Sequence, residues 1–291
     1  MRSAVMHRER ALPPDELDAD DEARVEVALV PVTSDAIWRG LREAATELAL
    51  RETVLRQRLR RLVLDRCSLA DAIGAVLADR LASADLGDSS LRAIVRELFA
   101  DDDSLLLDVV KDMHALRARD PACVSHLHGL LAMKGFHALQ THRVAHALWK
   151  HGRKELALVL SNRCSVVFCV DIHPAARIGA SVMLDHGSGI VIGETAVVDG
   201  DVSILQNVTL GGTGKERGDR HPKVRRGVMI GAGAKILGNI EIGAMSKVAA
   251  GSVVLEAVPP HCTVAGVPAR IVRWHQQARL PALDMDQSVK A

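Results

Sequence analysis

Asp185-His186-Gly187-Ser188-Gly189 places an imidazole beside a carboxylate within a run of small residues, a composition suited to proton transfer. Histidine serves as a general base at neutral pH, and a carboxylate on its other ring nitrogen fixes tautomer and orientation. A second carboxylate, Asp171, stands fifteen residues upstream. A glycine-rich bulge or corner turns a polar side chain out of a regular wall. The alternative is that all three are solvent-facing corner residues.

A second group is the charged, glycine-rich stretch from Gly211 to Arg226. Long loops inside compact folds are often binding loops. Arg220 offers a planar fork for a carboxylate, and the lysines suit phosphates. A phosphate-binding P-loop is excluded, because Gly214-Lys215 is followed by Glu216 and position 209 is Thr. A purely solvated loop is the competing reading. The third group is His137, His142 and His146, with His126 and His128 upstream. His142 and His146 have a metal-ligand spacing, but Arg143 occupies the place of the zincin glutamate, so packing or helix-surface histidines are favoured.

The elements that must hold these groups are legible in a six-residue period. Ile172, Ile178 and Leu184 set one register; Ile192, Val198, Ile204 and Leu210 set a second, shifted by two. Ile230, Ile236, Ile242, Val248 and Val254 set a third. Short Val- and Ile-rich extended segments alternating with turns predict a parallel β-helix of hexapeptide repeats, about eighteen residues per coil. The register slips at Asp185-His186, and the Gly211–Arg226 stretch is its one long interruption. From Ser34 to about Leu160 the texture is helical, with N-caps expected at Ser34, Ser68, Ser89 and Asp120, and Pro121 in a favoured first-turn position. Leu91, Ile94, Val95 and Leu98 show helical spacing. Six to eight helices are expected, the last, near Glu155–Asn162, capping the first coil.

The expected organisation is a variable extension over 1–33, a helical oligomerisation domain over 34–165, a catalytic β-helix over 166–272 and a flexible polar tail over 273–291. Formal charge is +1 with scattered basic residues, and there are three Phe, three Trp and no Tyr. A nucleic-acid footprint or base-stacking surface is therefore not expected. No apolar run has membrane-spanning length, and the N-terminus lacks a secretory core. Five cysteines without CxxC spacing point to reduced thiols in the cytoplasm.

Taken in order, Asp120-Pro121, Lys134-Gly135-Phe136-His137-Ala138-Leu139-Gln140, Val170-Asp171-Ile172-His173-Pro174, Met183-Leu184-Asp185-His186 and Gly193-Glu194-Thr195-Ala196-Val197 form one series. Gly211-Gly212-Thr213-Gly214-Lys215, Asp219-Arg220-His221-Pro222-Lys223 and Gly231-Ala232-Gly233-Ala234-Lys235-Ile236-Leu237-Gly238-Asn239 continue it. With these motifs the chain closely resembles the serine O-acetyltransferases from about residue 35 to 272. The resemblance implies an all-helical N-terminal domain on a left-handed β-helix, an α+β chain assembled as a trimer or dimer of trimers. It implies acetyl transfer from acetyl-CoA to L-serine by direct attack in a ternary complex, with no metal and no acyl-enzyme, and L-cysteine as feedback inhibitor.

By the same resemblance His186 is the general base and Asp171 its orienting carboxylate. Asp120 and Asp185 hold the substrate ammonium, and Arg220 and His221 its carboxylate. Gly212, Thr213, Ala232 and Ala250 line the CoA arm, with Lys247 toward a phosphate. The family's tail ends in isoleucine, which plugs O-acetylserine sulfhydrylase. This sequence ends Ser288-Val289-Lys290-Ala291, so that complex is not carried over. Rival readings on the same scaffold are an acetyltransferase for a sugar or another amine, a carbonic-anhydrase-like enzyme binding metal through His173, His186 and His221, and a non-catalytic paralogue.

Overall fold

The computed structural model describes residues 33–214, 217–275 and 280–288. Eight helices come first: α1 (Ser34–Arg51), α2 (Arg56–Leu59, continuing into a π turn), α3 (Leu69–Leu81), α4 (Asp88–Asp101), α5 (Asp103–Arg119), α6 (His126–Ala132), α7 (Lys134–Lys150) and α8 (Lys154–Phe168). Their starts follow capping chemistry. Thr33, Ser68, Asp102 and Ser125 each accept a backbone N–H of the first turn through a side-chain oxygen. Of the expected caps, Ser68 is in place, whereas Ser34 lies one residue inside its helix and Gly87 takes the position expected for Ser89. Asp120 caps no start at all. It closes α5, and its carboxylate accepts the N–H of Ala122 at 2.8 Å in the turn that follows. Pro121, which suits a helix start or a turn, serves the turn.

Short parallel strands then wind in coils. The first coil holds β1 (Val170–Ile172), β2 (Arg177–Ile178) and β3 (Met183–Leu184). The second holds β4 (Ile190–Ile192), β5 (Val197–Val198) and β6 (Ser203–Ile204). The third holds β7 (Thr209–Gly211), β8 (Lys223–Val224) and β9 (Met229–Ile230), and the fourth β10 (Lys235–Leu237), β11 (Glu241–Ile242) and β12 (Lys247–Val248). β13 (Val253–Val254) and an antiparallel hairpin, β14 (Cys262–Gly266) with β15 (Ala269–Trp274), end the stack. Three sheets result: face one is β1-β4-β7-β10-β13, face two β2-β5-β8-β11, and face three β3-β6-β9-β12-β14 with β15 at its edge.

Register explains the sequence irregularities. Val191 pairs with Thr209, eighteen residues on, as a regular coil requires. Val170 pairs with Ile190, twenty residues on, so the first coil carries two extra residues, and they fall between β3 and β4 at Asp185–Gly189. Val197 pairs with Lys223, twenty-six residues on, so the excursion adds eight residues between β7 and β8. The hexad aliphatics fill the interior: Ile172, Leu184, Ile192, Val198, Ile204, Leu210, Ile230, Ile236, Ile242 and Val248 are all buried.

One hydrophobic cluster runs from Ile37 in α1 to Val264 in β14, so a continuous core crosses the boundary expected at 165/166. Helix α8 extends past the expected Glu155–Asn162 to Phe168, packs on β1 and donates the Ser161 hydroxyl to the Ile172 carbonyl at 2.6 Å. An ionic joint ties helices to coils. Asp112 on α5, fully buried, accepts Arg143 Nε at 2.7 Å and Nη2 at 2.9 Å, and the Val182 N–H at 3.1 Å. Arg143 also donates to the Gly179 carbonyl.

The expectation of a flexible tail from residue 273 is corrected for the described residues. Trp274 belongs to β15, and α9 (Pro281–Asp284) lies on face three. Leu280 packs over Gly227 and Met245, and the Ala282 carbonyl accepts the Ser203 hydroxyl at 2.9 Å. Buried apolar residues such as Leu280 and Ala282 hold a segment whose composition reads as polar overall. Residues 1–32 and 289–291, with the expectations placed on them, lie outside the described residues.

Candidate active site

Two corners of the coil gather the candidate residues. The first lies between faces three and one, where the two extra residues turn the chain through Asp185, His186 and Gly187. His186 has φ +54, and Gly187 and Gly189 have φ +77 and +74. For a histidine this left-handed backbone is an uncommon conformation that surrounding contacts must enforce. They do: the Gly189 N–H donates to the Cys169 carbonyl at 2.7 Å, and the start of α7 presses on the loop. A Cβ on Gly135 would run into the Leu184 carbonyl, and Lys134 donates to Ser188. The His186 ring, 72 % exposed, is thereby presented outward.

Its neighbour is Asp185, with Nε2 3.8 Å from Oδ1. Burial pushes the Asp185 carboxyl above the usual range, His186 opposes this, and Asp120 adds to it as a second negative charge. The charge of Asp120 thus acts on Asp185 although α6, α7, α8 and β1 to β3 intervene in sequence. Asp171 sits on the exposed side of β1, beside Val170, whose Cγ2 would be touched by a Cβ on Gly187. Among the described residues no hydrogen bond joins Asp171 to His186; the pairing present is with Asp185.

The second corner lies between faces one and two. The twenty-six-residue offset stacks Glu194 under Arg220 and Thr195 under His221. Arg220 Nη2 donates to Glu194 Oε2 at 2.7 Å, and this bond holds the Glu194 carboxyl below its ordinary range. Thr195 Oγ1 accepts the N–H groups of Arg220 at 3.0 Å and His221 at 3.1 Å. His221 Nδ1 accepts the Thr195 N–H at 3.2 Å and lies 2.9 Å from its hydroxyl. Burial and the Arg220 charge push His221 down, favouring neutral imidazole. Lys223 is held by Asp219 at 2.6 Å and by two carbonyls. The positive charge of Arg220 and Lys223 beside His221 is thus largely answered by Glu194 and Asp219. His173 faces this corner too, its Nδ1 accepting the Ala175 N–H and its ring edge-on to Trp149 at 5.2 Å.

The residues expected along the acyl-carrier groove divide between the corners. Ser188 O accepts from Asn207 N, Gln206 O from Gly233 N, and Ala232 O from Gly251 N. Ala232 and Ala250 therefore stand in the column that rises from His186. Gly212 packs against Arg220, and Thr213 is exposed near Gly238 at the other corner. Lys247 does not fit its expected place. It is buried on face three, donates to the Ser288 carbonyl at 2.5 Å, and feels Asp286. The packed tail, unreadable from the repeat, takes its ammonium.

The helical histidines are packing groups, as favoured. His137 is fully buried and bonds the Leu130 carbonyl, burial pushing it down to about 4. His142 is buried, and His146 bonds the Pro174 carbonyl at 2.8 Å. Of the metal trio considered, His173 and His221 share a corner while His186 stands at the other. Glu194, Thr195 and Gly193 were missed as site residues. Finding them needs the coil-to-coil offset, which the excursion hides.

Comparison with known proteins places this geometry. The serine acetyltransferase N-terminal family model matches residues 37–141. The Escherichia coli K12 serine acetyltransferase is 51% identical over 253 residues, 87% of this chain and 92% of that protein. A serine acetyltransferase solved in complex with cysteine superposes with TM-score 0.86 at 51% identity, covering 88% of this chain and 99% of the other. The Brucella abortus enzyme in complex with coenzyme A gives 0.81 at 49%, covering 82% and 96%. The soybean enzyme with serine gives 0.81 at 50%, covering 83% and 100%. The helical region followed by a parallel β-helix is shared with these relatives over most of the chain, and the chain belongs to the serine acetyltransferase family.

Proposed function

We propose that this chain transfers acetyl from acetyl-CoA to L-serine by direct attack, with His186 as general base. Serine's hydroxyl is a weak nucleophile until its proton is taken as attack develops, and a positioned base contributes about 10²–10⁴-fold. His186 accepts that proton while the oxygen bonds the thioester carbonyl carbon. Collapse of the tetrahedral adduct breaks the C–S bond, and the imidazolium returns the proton to the CoA sulfur. Asp171, on the exposed side of β1, is the carboxylate the family resemblance assigns to orient the ring, while Asp185 is the one that stands 3.8 Å from it. Holding both substrates in one groove adds proximity.

The observation that carries this reading is the corner where Asp185 stands 3.8 Å from an outward-facing His186 and Asp120, from the end of α5, adds a second negative charge. Two carboxylates answer an ammonium beside a base. A carboxylate needs the opposite charge, which Arg220 supplies at the next corner with His221. Within one chain those corners flank a three-residue strand, roughly 10 Å of backbone. We place the complete site between two copies, each lending one corner, in a trimer or a dimer of trimers. Acetyl-CoA runs up the column of Ala232 and Ala250 toward Gly212 and Thr213 of the neighbour. L-cysteine, which shares serine's ammonium and carboxylate, competes at the same site. Free thiols at all five cysteines suit a reducing cytoplasm.

The test is thiol release from acetyl-CoA with L-serine, homoserine and sugars as acceptors. Serine-dependent release that survives chelator treatment and falls at least about a hundredfold in His186→Ala, with coenzyme A binding retained, is expected. No release with L-serine would sink the proposal, and metal-dependent turnover would return His173, His186 and His221 to a metal site.

A further inference from the structure

Thr195 touches more of the Arg220–His221 corner than any charged residue there. Its N–H reaches His221 Nδ1 at 3.2 Å and its hydroxyl lies 2.9 Å from the same atom. Its Oγ1 accepts the backbone N–H groups of both Arg220 and His221. Its carbonyl accepts Lys223 Nζ at 3.0 Å. A single residue of the second coil thus receives the returning end of the eight-residue excursion.

The hydrogen count assigns the tautomer. A backbone N–H only donates, so the Thr195 N–H requires a lone pair on Nδ1. Oγ1 already accepts two N–H groups, which leaves its own proton for Nδ1. In the neutral ring the remaining proton then sits on Nε2. That nitrogen lies over Gly193, where a Cβ would collide with it. The bare glycine is what leaves room for that edge of the ring.

We propose that Thr195 is a positioning residue for the serine site: it locks His221 as the Nε2–H tautomer and pins the backbone that carries Arg220. The proposal rests on the reading of Arg220 and His221 as the substrate-carboxylate groups. Through this lock His221 meets the substrate as a hydrogen-bond donor rather than as a second base. A donor suits a carboxylate oxygen, and a competing base would not. Glu194, one residue earlier, steadies the guanidinium from the side at 2.7 Å.

The experiment compares Thr195→Val and Thr195→Ser in the full-length protein. Valine keeps the shape and β-branching but has no hydroxyl; serine restores the hydroxyl alone. In Thr195→Val the KM for L-serine is expected to rise about tenfold, the loss of one net hydrogen bond or slightly more. The KM for acetyl-CoA stays within about twofold. ¹⁵N spectra of the imidazoles, assigned with His221→Gln, should show Nδ1 as the unprotonated nitrogen in the parent and its resonance shifted in the valine variant, which keeps the backbone N–H donor but loses the hydroxyl. Thr195→Ser returns both readouts toward the parent. A parental serine KM and His221 spectrum in Thr195→Val overturn the proposal. A serine KM unchanged in Thr195→Val but raised in Arg220→Ala also overturns it. A KM unchanged in both overturns instead the serine-site reading beneath it.

Discussion

The imidazole of His221 rests on the face that Gly193 leaves bare, its Nε2 so near that it would collide with a Cβ on that glycine. Gly193→Ala should therefore displace the ring. The expected cost is about 1–3 kcal/mol of stability for overpacking. Serine KM should rise by an order of magnitude or more, with acetyl-CoA KM little changed. Thermal melts and initial-rate kinetics on the same preparation check both halves; an alanine variant with parental serine KM would show that the ring position is irrelevant to binding.

Asp185 is held above its ordinary proton affinity first by burial and then by Asp120, against the opposing pull of His186. A carboxyl whose folded pKa is raised contributes stability below its unfolded pKa and loses it as pH climbs through the folded value. At neutral pH its ionised form is thus a net cost to the fold. Asp185→Asn should melt at a temperature equal to or above the parent's at neutral pH, with the difference shrinking in acid. The same change should raise the serine KM more than tenfold, because a charge facing the substrate ammonium is gone. A variant that loses stability as well as affinity would contradict this sign.

Asp112 and Arg143 form a buried pair, 0% and 5% exposed at the side chain. Removing one partner of such a pair strands the other charge and typically costs about 3–5 kcal/mol. Asp112→Ala should lower denaturant stability by about that much and speed hydrogen exchange at Val182, whose N–H it accepts. The joint Asp112→Leu/Arg143→Met variant should recover a good part of the loss. No recovery in the double variant would mean that the ion pair itself, rather than the stranded charge, is what the fold needs.

Leu280 fastens the C-terminal segment over Gly227 and Met245, and Ser288 closes on Lys247. Leu280→Ala should remove about 2 kcal/mol from that docking. Faster proteolytic trimming beyond Trp274 is expected, with the global melting temperature shifted by only a few degrees. Trimming at the parental rate would show that backbone bonds alone, such as Ala282 to Gly227, hold the segment.

The hexad aliphatics, the slip at Asp185–Gly189 and the interruption after Gly211 were legible because each follows from local periodicity. An interior position needs an aliphatic side chain every six residues whatever lies elsewhere, and an insertion shifts that count at once. His186, Asp185 and Arg220 were legible for the related reason that they sit in the breaks. Asp120 was misread as a helix start because an aspartate before proline suits a helix N-terminus and a turn equally, and only the packing of α5 and α6 selects the turn. Lys247 was misread because its partner, Ser288, comes from a tail held by contacts that no repeat announces.

What the sequence by itself determined is the coil, since the burial period of each strand is written in consecutive residues. Tertiary structure alone decided which residues of different coils meet. The twenty-residue and twenty-six-residue offsets stack Glu194 under Arg220 and Thr195 under His221, and bring α7 against the His186 corner. Those contacts depend on where insertions close in space. A hydrogen bond such as Thr195 to His221 spans the whole excursion, and its existence follows from the closed coil rather than from any run of neighbouring residues.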